Sequence, residues 1–203
     1  GVTAPVPLYV VKKTRDLPSQ YAAAQRANQT ALAGREAELA KLKDAWEIAK
    51  QGNHSKYFIH AEPGIGKSRL VQEIRETIRS DGGTPMTVVC SPLHSDTALY
   101  PFIELIHRVL RVRQEDSSAL RLERLREVLS SLHFPVDDTE DTLAALLSIK
   151  HEYGESFANL DPKEREQRTF DTVLDWMLEV TTRTPVLLVV EDLQAADRST
   201  LDL

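Results

Sequence analysis

The sequence YFIHAEPGIGKSRL, residues Tyr57–Leu70, limits the possible folds of this chain more than any other stretch. Its apolar beginning predicts a short strand over Tyr57–Ala61, and the apolar residues spaced along 70–78 predict a helix after it. The loop between them, AEPGIGKS, matches the pattern G-x-x-x-x-G-K-[ST], with Ala61 in the place of the first glycine. A strand, this loop and a helix in succession are typical of a phosphate-binding P-loop.

The residue types of the loop suit the binding of a triphosphate. Gly64 and Gly66 allow backbone N–H groups to approach phosphate oxygens without a Cβ in the way. Lys67 offers a positive charge to the β- and γ-phosphates, Ser68 offers a hydroxyl to Mg²⁺, and the helix N-terminus favours an anion. We therefore predict a nucleotide site with Mg²⁺ as its cofactor. The predicted nucleotide contacts in the loop are Ala61, Glu62, Pro63, Gly64, Ile65, Gly66, Lys67, Ser68 and Arg69.

A second informative stretch, PVLLVVED, covers Pro185–Asp192. Five consecutive apolar residues, Val186–Val190, predict a strand buried on both faces of a parallel sheet. Glu191 and Asp192 follow at its carboxyl end, where open α/β sheets bind ligands. This is a Walker B arrangement, in which one carboxylate holds Mg²⁺ and its neighbour polarises the attacking water. By position Glu191 takes the metal role and Asp192 the water role, but the reverse stays open.

The predicted catalytic residues are accordingly Lys67, Glu191 and Asp192, and the predicted metal ligands are Ser68, Glu191 and Asp192. Gly34 and Arg35 precede a helix with an apolar stripe, just before the first predicted strand. In many P-loop ATPases this segment lies over the base, so both residues are candidate nucleotide contacts. The alternative is an ordinary helix start with a solvated arginine.

The predicted fold is α/β, an incomplete parallel P-loop sheet of at least three strands with a helical insert. The strands are expected near Tyr57–Ala61, Met86–Ser91 and Val186–Glu191, and the insert separates the second from the third. The expected organisation is a tail over residues 1–11, a linker over 12–31 and a P-loop domain over 32–203, truncated at its C-terminus.

Composition limits the partners. The net charge of −6 argues against direct nucleic-acid binding by this piece. No apolar run approaches the ~20 residues of a membrane span. A single cysteine, Cys90, excludes an internal disulfide, and the cytoplasm is the default location.

Several motifs together carry a resemblance to a known family: GREAEL, AEPGIGKSRL, CSPLHSDTALYPF and VLLVVEDLQAADRSTLDL. They resemble the ATPase module of bacterial class III adenylate/guanylate cyclases, a STAND-type module within the AAA+-like P-loop group. The chain is also similar to the ATPase of the large transcriptional activators related to the maltose regulator. Residues 1–11 resemble the last strand of a class III cyclase catalytic domain.

The resemblance implies a regulatory switch that binds ATP with Mg²⁺, hydrolyses it slowly and controls a cyclase domain upstream in the same chain. It leaves self-association open. One alternative is the ATPase switch of a multidomain DNA-binding transcriptional regulator, which a helix-turn-helix far downstream would favour. Another is a nucleotide-binding scaffold that never turns ATP over.

Overall fold

The computed structural model describes residues 34–62, 64–113, 115–132 and 136–203, within one compact unit that spans Leu32–Leu203. The predictions for the tail over 1–11, the linker over 12–31 and Pro63 lie outside the described residues. Two strands and eight α-helices are found in the described part. The strands are β1 (Thr84–Val89) and β2 (Val186–Glu191). The helices are α1 (Glu36–Lys50), α2 (Lys67–Ser80), α3 (Tyr100–Leu110), α4 (Ser118–Ser131), α5 (Val136–Leu146), α6 (Glu155–Ala158), α7 (Pro162–Arg183) and α8 (Arg198–Asp202).

The two strands form a parallel pair, in the register Thr84 opposite Val186 through Val89 opposite Glu191. Parallel neighbours need a crossover connection, and here helices α3 to α7 provide it. The register ends both strands at the same edge of the sheet, so Cys90 and Glu191 lie side by side there. The Cys90 N–H donates to the Glu191 carbonyl at 3.0 Å. The third predicted strand has the observed bounds, the second begins and ends two residues before its predicted bounds, and the helical insert lies between them as predicted.

The prediction of a strand over Tyr57–Ala61 is wrong for the described residues. Within the described residues the sheet has two strands, and Tyr57–Ala61 is irregular chain outside it. The side chain of Phe58 is 84% exposed, which does not fit a core strand. The physical reason is that a strand exists only through hydrogen bonds to a neighbour, and no described strand lies beside this segment.

The prediction that β2 is buried on both faces is also wrong for the described residues. Leu188 and Val190, two residues apart and so on one face, are 36% and 40% exposed. Helix α2 packs against both strands, and Leu187 lies against the small core that α2 forms with α1. The continuous apolar run of β2 therefore does not mean that other elements cover both faces of the strand.

The main core lies between the helices of the insert and β1. Val88 of β1 is fully buried and packs with residues from α3, α4, α5 and α7. The largest fully buried side chain in this cluster is Trp176 of α7. Each fully buried Leu, Ile or Phe contributes about 1.5–3 kcal/mol of transfer free energy, so this cluster stabilises the insert.

Helix α7, Pro162–Arg183, starts with a capping box. Asp161 accepts hydrogen bonds from the Lys163 and Glu164 N–H groups, while the Glu164 carboxylate accepts from the Asp161 N–H. Helix α7 is the last helix of the insert that was predicted between the second and third strands. No helix in the described ranges is long and apolar enough to cross a membrane.

Candidate functional site

The glycine loop ends at the N-terminus of α2, as the motif predicts. Gly64 and Gly66 have φ values of 85° and 96°, and Gly66 is the residue that precedes the helix. A Cβ added at either position would meet no atom within 4 Å, so the left-handed backbone, rather than space, requires glycine there. No side chain caps α2, and its first turn carries no acidic residue. Its first N–H groups can therefore bind an anion.

Lys67 is the first residue of α2, and its side chain turns back over the loop. Its Nζ donates to the carbonyl oxygens of Ala61 and Glu62, the latter at 2.9 Å. Ser68, the predicted Mg²⁺ ligand, is exposed beside it. Arg69, predicted to contact the nucleotide, forms an ion pair with Glu73 along the helix at 3.1 Å.

The Gly34-Arg35 segment lies against the same loop. The Arg35 guanidinium donates to the Ile65 carbonyl at 3.3 Å and to the Glu38 carboxylate at 2.7 Å. Gly34 has a φ of 73°, which glycine adopts without strain. Arginine and loop line one cavity of about 240 Å³. Its other walls include Lys41, Tyr57, Phe58 and Lys67. A cavity with three basic side chains and aromatic walls suits a ligand with both a charged and a planar part.

The two carboxylates lie at the carboxyl edge of the sheet. Glu191 is the last residue of β2 and is half-buried, while Asp192 follows in a left-handed conformation with a φ of 55°. The exposed Asp192 carboxylate accepts from the Gln194 side-chain amide at 3.2 Å. That Lys67, Glu191 and Asp192 all contact one Mg²⁺–ATP remains a prediction.

Burial raises the pKa of Glu191 above its ordinary value, a nearby Arg75 lowers it, and the adjacent Asp192 raises it again. Arg75 belongs to α2, the helix that begins at Lys67. Eight residues of helix separate these two side chains, a rise of about 12 Å. One helix thus presents a cation to the glycine loop and another to Glu191.

The oxygen donors present fit Mg²⁺. As predicted ligands, Ser68 would supply a hydroxyl and Glu191 and Asp192 would supply carboxylates, which are the hard ligands this ion prefers. Among the described residues no group of three His, Cys, Asp or Glu side chains is arranged to hold a metal by itself. Mg²⁺ does not need such a cage, because it commonly binds through one or two protein groups together with substrate phosphates and water.

Sequence reasoning missed two residues at this edge. Arg75 was not among the predicted site residues, and no sequence pattern connects it to Glu191. Asp197 was likewise not among the predicted site residues. It caps α8, because its carboxylate accepts the Thr200 N–H at 2.9 Å. The D-x-x-T spacing was a usable signal for that cap.

The chain is similar to a known family and to a known protein. A family model described as AAA ATPase domain matches residues 31–203. An uncharacterized protein of Rhizobium meliloti (strain 1021) is 27% identical over 174 residues, which is 85% of this chain and 16% of that protein. The chain thus spans only a small part of the length of this relative. No solved structure matches the chain.

The family match covers the glycine loop, the two carboxylates and every described helix and strand. It agrees with the parallel strand pair and with the loop that opens α2. On these grounds the chain belongs to the AAA ATPase domain family.

Proposed function

We propose that this chain binds ATP with Mg²⁺ at the glycine loop and hydrolyses it slowly as a regulatory switch. Membership of the AAA ATPase family supports ATP binding and hydrolysis in general. The observation that carries the assignment to particular residues is the loop itself. Two left-handed glycines lead into an uncapped helix, with Lys67 folded over the loop and Arg35 bonded to its Ile65 carbonyl.

In this proposal the residues of the chain mainly position and stabilise charge. The loop N–H groups and Lys67 bind the phosphates, so Lys67 exchanges its bonds to the Ala61 and Glu62 carbonyls for bonds to phosphate oxygens. Ser68 and one carboxylate would hold Mg²⁺, which would neutralise charge on the phosphates. The other carboxylate accepts a hydrogen bond from the attacking water and thereby orients it.

The wider role is a second part of the proposal. We assign the switch to a protein whose upstream part is an adenylate or guanylate cyclase, and the support is the resemblance of residues 1–11 to the end of a cyclase domain. Synthesis of cyclic AMP or cyclic GMP by the full-length protein, changed by mutation of Lys67, would support this role. Specific DNA binding without cyclase activity would favour the transcriptional regulator.

Replacing Lys67 with alanine is expected to weaken ATP binding by at least 100-fold, because hydrogen bonds to charged groups contribute about 1.5–3 kcal/mol each and the phosphates would lose the Lys67 ammonium as a partner. Calorimetric titration of the full-length protein with Mg²⁺–ATP measures the effect. Lys56→Ala is the matched control, since Lys56 is an exposed lysine shortly before the loop. Unchanged affinity of the Lys67 variant would reject the assignment.

A further prediction concerns the pH dependence. Arg75→Gln removes a positive charge that lowers the pKa of Glu191, so the pKa of Glu191 should rise further above its ordinary value. If hydrolysis needs the Glu191 carboxylate ionised, the acid limb of the kcat–pH profile moves to higher pH. The same change is visible in the titration of the Glu191 side-chain ¹³C signal, assigned with Glu191→Gln.

Arg79→Gln is the control for this experiment. Arg79 lies one turn further along α2 and is exposed. Its loss should leave both the acid limb and the ¹³C titration of Glu191 in place. Equal shifts in the two variants would show that Arg75 has no special relation to Glu191.

A further inference from the structure

The segment that follows Glu191 makes hydrogen bonds to other parts of the chain at both of its ends. At its start the Glu191 carbonyl accepts the Cys90 N–H at 3.0 Å, which attaches it to the end of β1. Asp192 then adopts its left-handed conformation, and a single helical turn covers Leu193–Ala195. At its end stands Asp197, whose side chain is almost fully buried.

Asp197 makes one contact that its local role does not require. Its Oδ1 accepts the Leu99 N–H at 3.1 Å, in addition to the Thr200 N–H at 2.9 Å. Its Oδ2 accepts the Thr200 hydroxyl at 2.5 Å. Capping of α8 needs only the contacts to Thr200. The bond to Leu99 joins two loops that lie far apart in sequence, the one after β2 and the one after β1.

The residue at the other end of this bond is strained. Leu99 precedes α3 with a φ of 56°, a left-handed conformation that a leucine avoids, and it is 2% exposed. Such a conformation persists only where the surroundings enforce it. The buried Asp197 carboxylate supplies a charged acceptor at this backbone N–H.

The pKa of the Cys90 thiol also indicates that Cys90, Asp192 and Asp197 lie close together. Burial, and then the negative charges of Asp197 and Asp192, raise the pKa of the Cys90 thiol. Cys90 follows β1 directly and is buried, so both carboxylates must lie near the end of that strand. Asp197 therefore closes the loop that carries Asp192 against the part of the sheet where Glu191 ends.

We propose that Asp197 is a positioning residue that, through its bond to the Leu99 backbone, holds Glu191 and Asp192 in place for ATP hydrolysis. It acts through the loop and does not touch ATP. The inference rests on the proposed function, because it assigns Asp197 a role only if Glu191 and Asp192 serve hydrolysis. It also connects the hydrolytic edge to the start of α3, the first helix of the insert.

Three substitutions separate the bond to Leu99 from the cap. Asp197→Asn keeps an oxygen at Oδ1 for both backbone N–H groups, and its amide can donate to the Thr200 hydroxyl. Asp197→Ser keeps a good helix cap but is too short to reach Leu99 as well. Asp197→Ala removes both.

We expect Asp197→Ser and Asp197→Ala to lower kcat for ATP by 10- to 100-fold, since small misplacements of reacting groups have effects of this size. The dissociation constant of ATP should stay within threefold, because the glycine loop is untouched. Asp197→Asn should keep kcat within threefold of the unmodified protein. Hydrogen exchange of the Leu99 amide should become faster in the Ser and Ala variants only.

If the Asp197→Ala variant does not fold, the Asp197→Ser variant still tests the role of the Leu99 bond. A normal kcat in Asp197→Ser, or a loss of kcat in Asp197→Asn equal to that in Asp197→Ser, would overturn the role of the Leu99 bond while leaving the proposed function standing. Parallel loss of ATP binding and of folded protein in the Ser variant would likewise overturn it and indicate a structural role. Absence of ATP turnover in the unmodified protein would overturn both proposals.

Discussion

Glu191→Gln and Asp192→Asn should each lower the rate of ATP hydrolysis by about 10²–10⁴-fold while ATP still binds, since a positioned acid–base group contributes that much to a rate. Both changes preserve size and remove one negative charge at the edge of the sheet. Binding should survive, because the glycine loop and Lys67 provide most of the phosphate contacts. Phosphate release under saturating ATP, together with calorimetric affinity, tests both halves of the prediction.

The same pair of variants distinguishes the two carboxylate roles. The variant that loses the metal ligand should need a higher Mg²⁺ concentration for half-maximal rate, whereas the variant that loses the water contact should not. Asp96→Asn is a suitable control, because Asp96 is an exposed acid in the loop after β1. Full activity in both Glu191→Gln and Asp192→Asn would favour a nucleotide-binding scaffold, and the hydrolytic part of the proposal would then be abandoned.

The parts of this fold that the sequence predicted well are those with a strong local signal. Helix α2 starts at Lys67, where the motif puts it, and ends at Ser80, directly before Asp81-Gly82-Gly83. Strand β2 was predicted to the residue at its carboxyl end, because an apolar run followed by acids is distinctive. Periodicity and turn residues are properties of neighbours in sequence, so no tertiary information was needed.

The errors arose where an element depends on a partner. Tyr57–Ala61 has an apolar beginning, but whether it pairs depends on a strand beside it, and none is described there. Leu188 and Val190 are apolar, but their burial depends on a covering layer. Hydrophobic pattern shows what a segment could bury and does not show which neighbour buries it.

The candidate site rests on local signals in the same way. The loop residues and the two acids follow from motifs, Gly34 and Arg35 were predicted as candidate nucleotide contacts, and these assignments remain predictions. Arg75 beside Glu191 and Asp197 beside Leu99 were not predictable, because both depend on long-range packing.

Gly83→Ala is expected to destabilise the fold by about 1–3 kcal/mol, which is the usual effect of adding a group to a filled core. A Cβ at Gly83 would lie 2.3 Å from Cη2 of Trp46 and 2.8 Å from Cγ2 of Ile78. The indole cannot easily move aside, because its N–H donates to the Asp81 carboxylate at 2.7 Å and the ring is 5% exposed. Chemical denaturation, followed by circular dichroism, measures the change in the free energy of unfolding.

A double-mutant cycle with Trp46→Leu gives this prediction a sharp control. With the ring removed, the added methyl group has room, so Gly83→Ala should have a smaller effect in the Trp46→Leu background, by about 1 kcal/mol or more. Equal effects in both backgrounds would show that the Trp46 contact is not the cause.

The result bears on function, because Trp46 and Ile78 belong to the small core that packs α1 against α2. That core joins α1, which follows Arg35, to α2, which begins at Lys67. A variant with a weakened core should therefore lose ATP affinity along with stability, even though Gly83 itself is remote from the glycine loop in sequence.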